Sequence, residues 1–443
     1  MDTNFLNDLL AAAKAAGADA AEAVLAHRQA LSVGVRLGAL EEVEREEARD
    51  LGLRVFVGKR QATVSGSDLT AASLAKLVDR AVAMARLAPE DPYAGLAPAG
   101  MLAKKLDLDL DLFDPSEPTA EALEAIALEI EDAARAVPGV TNSEGGSATW
   151  GASRWQFATT EGFNAGHRSS SHSAYASVIA GDGDSMERAG EGRQVRWGCD
   201  MPNLHVMGQI AGHDAVAALG AKKIKSTTAA VIFENKIAAS FLGPFIGAIS
   251  GPSVARGTSF LKANLEKPVF PRGFRIYEEP HRKRGLGSGP FDDEGLPTTD
   301  RSIIQDGVLT TFLHNLASAK QLGMKPTGHA SRSLAGPPGV GTSNLTVQPG
   351  VVDLAGLFTE ARRGLFVTSM FGPSLNANTG DWSVGVSGFW FEDGAIAHPV
   401  NEVTVAGNLI ELYARTIAGA DLELRGSSNS PSLMIDAVAI AGQ

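Results

Sequence analysis

Between residues 140 and 197 the chain alternates in side-chain character with a two-residue period, and glycine repeatedly breaks the alternation. A period of two puts successive side chains on opposite faces of a strand, so 147–150, 155–159, 174–179 and 193–197 read as an antiparallel meander. The pattern returns late in the chain at 342–348, 364–370, 383–391, 402–409 and 433–441, with Gly- and Ser-rich turns between. Glycine is 49 of 443 residues, about 11% against a usual ~7%, as close-packed strands and tight turns require.

Helical spacing is confined to shorter stretches. Phe5, Leu6, Leu9, Leu10 and Ala13 make a stripe over 4–16, stopped by Gly17. Ser67 and Asp68 are placed to cap a helix over 71–87, and Pro118 opens another that runs to about 137. Further helices are expected at 204–219, before Gly220, at 234–245, and at 315–322. Strands at 23–28, 31–37 and 51–57 precede a hairpin turn at Gly58-Lys59, and another strand is expected at 229–233. Residues 88–100, rich in Pro and Gly, read as a linker or surface loop; the Leu/Asp alternation at 106–112 reads as a half-buried strand or, in preference, an acidic, solvated edge. The expected fold class is α+β: a small N-terminal α+β domain at 1–100, a middle α+β domain with the meander at 101–225, and a larger, mostly β domain with few helices at 226–443.

The 39 Lys and Arg against 51 Asp and Glu give a net charge of −12. A chain so charged does not neutralise phosphates over a broad surface, so nucleic acid is not an expected partner. The one cysteine, Cys199, excludes an internal disulfide framework and a thiolate zinc ribbon. The start, Met1 to Phe5, lacks the basic and apolar regions of a secretory leader, and the longest apolar stretch, 237–249, is far short of the ~20 residues of a membrane span. A cytoplasmic protein with no membrane partner is expected.

Few motifs carry chemistry. Residues 336–343 resemble a phosphate-binding loop, but Thr342 stands where that motif needs lysine and a strand follows where it needs a helix. His205 and His213 are eight apart, ~12 Å along a helix, and His167 and His172 fall on opposite faces of a strand; all read as surface or hydrogen-bonded histidines. No nucleophile elbow is present. Gly181 to Asp184 lacks the full calcium-loop pattern and reads as a hairpin turn. Asp292, Asp293 and Glu294 crowd three like charges into a Gly/Pro-bounded loop. That loop reads first as a solvated turn, and otherwise as the lining of a peptide cleft or a dock for a partner's basic groups. The polar loops 327–332, with His329, and 376–381, with Asn376 and Asn378, flank expected strands, where function concentrates.

One block, AAVIFENKIAASFLGPFIGAISGPSVARGTSFL, is followed in order by GSGPFDDEGLPTTDR, DGVLTTFLHN, TGHASRS, TSNLTVQPG, NANTGDWSVGVSGFWFEDG and VAGNLIELY, and preceded by LGLRVFVGKRQATVSGSDL. Over nearly the whole chain these resemble the TldD/PmbA family, whose older label is modulator of DNA gyrase. The resemblance implies a two-component cytoplasmic zinc metalloprotease acting on unfolded or flexible peptides. TldD-type subunits of that family carry HExxxH on a helix and a later cysteine; PmbA (TldE)-type subunits share the fold without them. Here the corresponding helix reads Leu242-Gly243-Pro244-Phe245-Ile246-Gly247, no histidine lies between His213 and His281, and no cysteine follows Cys199. The resemblance therefore implies the PmbA type: no catalytic residue, metal or other cofactor in this chain, degenerate motif positions at Leu242, Gly243 and Gly247, and zinc in a TldD-like partner subunit. Peptide substrates and self-association are the other expected partnerships. His281, Asp292, Asp293, Glu294, His329, Asn376 and Asn378 are the candidates for a peptide cleft or partner loop. Competing readings are a homodimeric peptide-binding scaffold, a regulator acting on gyrase through protein contacts, and an enzyme whose site is built from Asp292, Asp293, Glu294, His281 and His329.

Overall fold

Spacings of three and four bring Leu6, Leu9, Leu10 and Ala13 of helix α1 (Thr3–Ala15) into one buried stripe. The computed structural model describes residues 3–443; Met1 and Asp2, the start of the segment read for a leader, lie outside the described residues. With α2 (Ala71–Leu87), that stripe covers a sheet made by β1 (Ala20–Arg36), β2 (Ala39–Val57) and β3 (Arg60–Gly66). The β2–β3 turn is the one expected at Gly58-Lys59. The cap of α2 differs from expectation. Thr70 is the N-cap, without a side-chain bond, while Asp68 accepts from Thr70 N–H and from the Ser73 hydroxyl.

Thr119 caps α3 (Ala120–Arg135), and β4 (Val140–Thr159), β5 (Asn164–Ala180) and β6 (Glu187–Val195) form the expected meander before α4 (Leu204–Ala217). Strand β1 pairs with β4 from Glu22↔Thr159 to Val35↔Gly146, so both units contribute to one six-stranded sheet, in the order β3-β2-β1-β4-β5-β6. Gly208 and Gly212 let α4 lie against α3: a Cβ at either would overlap a carbonyl, that of Ile130 or that of Ala134. Residues 106–112 fit the solvated-edge reading only in part, with Leu106, Asp107 and Asp109 exposed. They form no strand, Leu110 and Leu112 are buried, and Asp109 and Asp111 pair with Lys283 and Arg284 of the basic run.

The last stretch begins with β7 (Thr227–Phe233), α5 (Asn235–Phe241), α6 (Gly243–Ile249) and α7 (Gly251–Ala255). Then come β8 (Ile276–Glu278), β9 (Arg301–Gln305), β10 (Val308–Leu309), α8 (Leu316–Leu322), β11 (Ala330–Ser331), β12 (Gly339–Val340), β13 (Leu345–Val347) and α9 (Leu354–Ala361). It ends with β14 (Arg363–Leu375), β15 (Asp381–Glu392), β16 (Ala395–Asn408), α10 (Leu409–Tyr413), β17 (Ile417–Ala418), β18 (Ser428–Asn429) and β19 (Leu433–Ala441). Strands β16, β15, β14, β7 and β19 are hydrogen-bonded in that order, and β19 pairs back to β16 at Thr404↔Ala441, closing a barrel. Val231, Phe233, Val384, Val405 and Ile435 belong to the largest core, which α5 and α6 complete. A second sheet, β10-β9-β8-β13-β18, carries the loops between 278 and 344. Among the described residues no helix is long and apolar enough to cross a membrane.

Candidate functional site

The single apolar helix expected at 234–245 is broken. Pro244 has no N–H to continue the ladder, so α5 ends and α6 restarts across Leu242. The break separates two faces. Phe241, Leu242 and Phe245 are at most 1% exposed; Phe241 stacks on Phe233 at 4.8 Å and accepts a hydrogen bond from the Tyr413 hydroxyl at 3.2 Å on its carbonyl. Gly243 and Gly247 face the other way, exposed in a cleft of about 400 Å³ walled by Phe260, Leu375, Ala377 and Trp382. An apolar recess of about 290 Å³ adjoins it across Pro244, Pro373 and Trp382. Beyond Ile237, Thr368 and Ser369 lies a larger, charged cavity of about 610 Å³. There Lys236 Nζ sits 3.0 Å from Asp214 and 3.1 Å from Glu191, which also pairs with Arg193 and Arg425. Burial pushes the neighbouring Glu234 carboxyl up to about 7. Asn376 and Asn378 occupy the exposed β14–β15 turn at the rim of the cleft, where Asn376 Oδ1 accepts from Asn378 N–H at 3.1 Å.

The other candidates lie elsewhere. A cavity of about 210 Å³ forms where the second sheet meets β5, lined by His167, Glu278, Asp292, Asp293, Thr327 and His329. The solvated-turn reading of the acidic loop is corrected here. Asp292 and Glu294 are buried, because their carboxylates take backbone N–H groups that the irregular chain would otherwise leave unpaired. Asp292 accepts from Glu294, Leu296 and Ala330, Asp293 from Arg332, and Glu294 from Leu316 at the start of α8. Burial pushes Asp292 up to about 6 and Glu294 up to about 8, and raises Asp293 as well. His281 bonds Thr298 at 2.9 Å, a residue of the cavity wall. The expected set therefore divides. Asp292, Asp293 and His329 line one cavity, Glu294 and His281 support it, and Asn376 and Asn378 belong to the cleft. Arg332 ties this region to the first domain through Glu22, which also holds Arg54; all three are nearly fully buried.

Sequence reasoning missed three cavity residues. Glu278 lies 51 positions from His329, Thr327 reads as one polar residue of a loop, and His167 reads as a surface or hydrogen-bonded histidine. Instead, His167 is half-buried with Nδ1 enclosed and unpartnered, and burial, then the Arg196 charge, lowers its pKa. The Thr-Gly-His spacing was the available signal. Gly between two side chains that can hydrogen-bond is a turn that faces them together.

Three family models tile this chain: PmbA/TldA metallopeptidase domain 1 at 21–85, the central domain at 113–219 and the C-terminal domain at 226–442. The metalloprotease PmbA of Escherichia coli O157:H7 is 35% identical over 427 residues, 96% of this chain and 93% of that one. The chain belongs to the PmbA/TldD family. A crystal structure from Bacteroides thetaiotaomicron, described as a candidate modulator of DNA gyrase, matches it at a TM-score of 0.92 and 26% identity, over 99% of this chain and 98% of that one. TldE of Thermococcus kodakarensis shares the fold at a TM-score of 0.87 and 18% identity, over 99% of this chain and all of that one.

A metallopeptidase family implies a metal, and the donor set decides whether this PmbA/TldD chain fits one. On α5–α6 it does not. Leu242 presents hydrocarbon to the core, and Gly243 and Gly247 present bare backbone to the cleft, whereas zinc needs thiolate, imidazole or carboxylate lone pairs. Among the described residues no three of His, Cys, Asp and Glu converge as a metal-holding group. Cys199 is exposed, beside Asp200 and Arg284.

Proposed function

We propose that this PmbA/TldD chain is the non-metal subunit of a two-component cytoplasmic metalloprotease, joined to a TldD-like subunit that holds the zinc. The observation that carries this reading is the two-faced α5–α6 helix. One face is barrel core, the other is glycine backbone lining an open cleft, and neither offers a metal ligand. A cleft walled by a helix and a barrel rim excludes folded proteins by size, while an extended peptide fits along it. Bare glycine lets peptide backbone approach closely, and the adjoining apolar recess accepts side chains. This chain's contribution is then to shape and gate access, with hydrolysis carried out by the partner's metal.

The test is to purify the chain alone and together with a TldD-like chain, and to assay both for association, zinc and cleavage of an unstructured peptide. Association in solution with activity only in the mixture supports the proposal. A stable symmetric homodimer that gains no activity from the added chain overturns it.

A further inference from the structure

The small polar cavity holds an arrangement that the peptidase reading leaves unused. Gly328 adopts a left-handed φ of +74°, and a Cβ there would press on the Pro297 carbonyl. This tight turn faces the side chains of Thr327 and His329 toward each other, with Thr327 Oγ1 2.8 Å from His329 Nδ1. On the far side of the ring, His329 Nε2 lies 2.6 Å from Glu278 Oε2. Glu278 is 1% exposed, and its other oxygen accepts from Ser343 N–H at 2.7 Å. A buried carboxylate in that position accepts a hydrogen bond from Nε2–H, which fixes the tautomer and leaves Nδ1 as an acceptor for the Thr327 hydroxyl, nearer at 2.8 Å than the His314 carbonyl, its other acceptor, at 3.2 Å. Thr327 Oγ1 also accepts from His314 N–H at 2.6 Å, which holds the hydroxyl beside the imidazole.

Nucleophile, base and orienting acid within hydrogen-bond reach of one another are the diagnostic geometry of covalent acyl transfer, whatever the fold. Thr327 and His329 both line the cavity of about 210 Å³, which limits the acyl group to a short one. A second observation points to a ligand in the same space: the Nδ1 atom of His167, also on the wall, is buried without a hydrogen-bond partner.

We infer that Thr327, His329 and Glu278 form a metal-independent acyl-transfer site for short-chain esters. Thr327 Oγ attacks the ester carbonyl carbon as its proton passes to His329 Nδ1. The bond from that carbon to the alcohol oxygen breaks, and His329 returns the proton to the departing alkoxide. Water, deprotonated by His329, then cleaves the acyl-threonine to the free acid and regenerates the hydroxyl. No oxidant, reductant or metal enters the balance. Glu278 is a positioning residue that acts through the imidazole.

The experiment uses the isolated full chain with a chelator and p-nitrophenyl acetate, so its outcome is independent of any zinc-bearing partner. Expected is a burst of nitrophenol with one acetyl group added per chain, mapped by mass spectrometry to Thr327. Thr327→Val abolishes the adduct, Thr327→Ser retains it, and His329→Gln slows acylation by about 10²- to 10⁴-fold. Glu278→Gln shifts the pH profile of acylation, which a purely architectural role would not do; thermal unfolding verifies that each variant is folded. The inference is overturned if the folded wild-type chain takes up no acetyl group, or if Thr327→Val carries the same adduct.

Discussion

Building an HExxxH sequence onto Leu242, Gly243 and Gly247 should fail to make a zinc site, for a reason that can be worked out from Leu242. Its side chain is 1% exposed in the barrel core, with Phe241 and Phe245 to either side in sequence. Leu242→His forfeits about 1.5–3 kcal/mol of apolar burial and adds about 1–3 kcal/mol for an imidazole buried without a partner. The sum, about 2.5–6 kcal/mol, is a large share of the ~5–15 kcal/mol that holds a native fold together. At roughly 2–4 °C per kcal/mol for a unit of 150–250 residues, the melting temperature falls by roughly 5–24 °C. Gly247→His should change stability by only about 0.5 kcal/mol, because its Cβ position has open space around it. The two imidazoles would also lie on opposite faces of the broken helix, one in the core and one in the cleft. Urea unfolding of the single variants, and metal analysis of the triple variant Leu242→His/Gly243→Glu/Gly247→His, check both statements. A triple variant with wild-type stability and one tightly held zinc per chain would refute the reasoning.

Glu22→Gln should destabilise the fold by about 3–5 kcal/mol in urea unfolding, because it leaves the buried Arg54 and Arg332 without their shared carboxylate. Burial raises Glu294 from 4.5 to about 8, so the folded chain retains a proton that the unfolded chain loses. Its contribution is most favourable below about pH 4.5 and is lost as pH rises toward 8. Glu294→Gln keeps an acceptor for Leu316 N–H, so its stability relative to wild type should rise across that window, as read by unfolding at several pH values. Gly388→Ala should lower the unfolding midpoint by the equivalent of about 1–3 kcal/mol, since the added methyl would overlap the Phe366 carbonyl between β14 and β15.

What could be read from sequence was local. The stripe of α1, the short helix at 315–322 and the Gly58-Lys59 turn depend on neighbours within a few positions, and the structure places them as read. Strands β1 and β2 ran longer than expected, because residues 41–47 are exposed, so no apolar alternation marks them; pairing with β1 makes them strand. The barrel closure at Thr404↔Ala441 and the β1–β4 joint that merges the first two units are long-range pairings with no local signature. The acidic loop misled for a related reason. Asp292, Asp293 and Glu294 are hydrophilic by type, but the chain around them is irregular, and its unpaired N–H groups draw the carboxylates inward. Glu278 and His329 meet only because β8 and the 327–331 loop adjoin in the folded chain.

The central claim, that this PmbA/TldD chain lends shape but no metal ligand, is tested most directly by counting zinc. The purified chain alone and its complex with a TldD-like chain are dialysed side by side, analysed for metal, and assayed on an unstructured peptide. The account predicts no bound zinc and no peptide cleavage for the isolated chain, and one zinc with cleavage for each pair. An isolated chain that holds stoichiometric zinc and cleaves peptide, with both lost on substituting one of its own side chains, would contradict it.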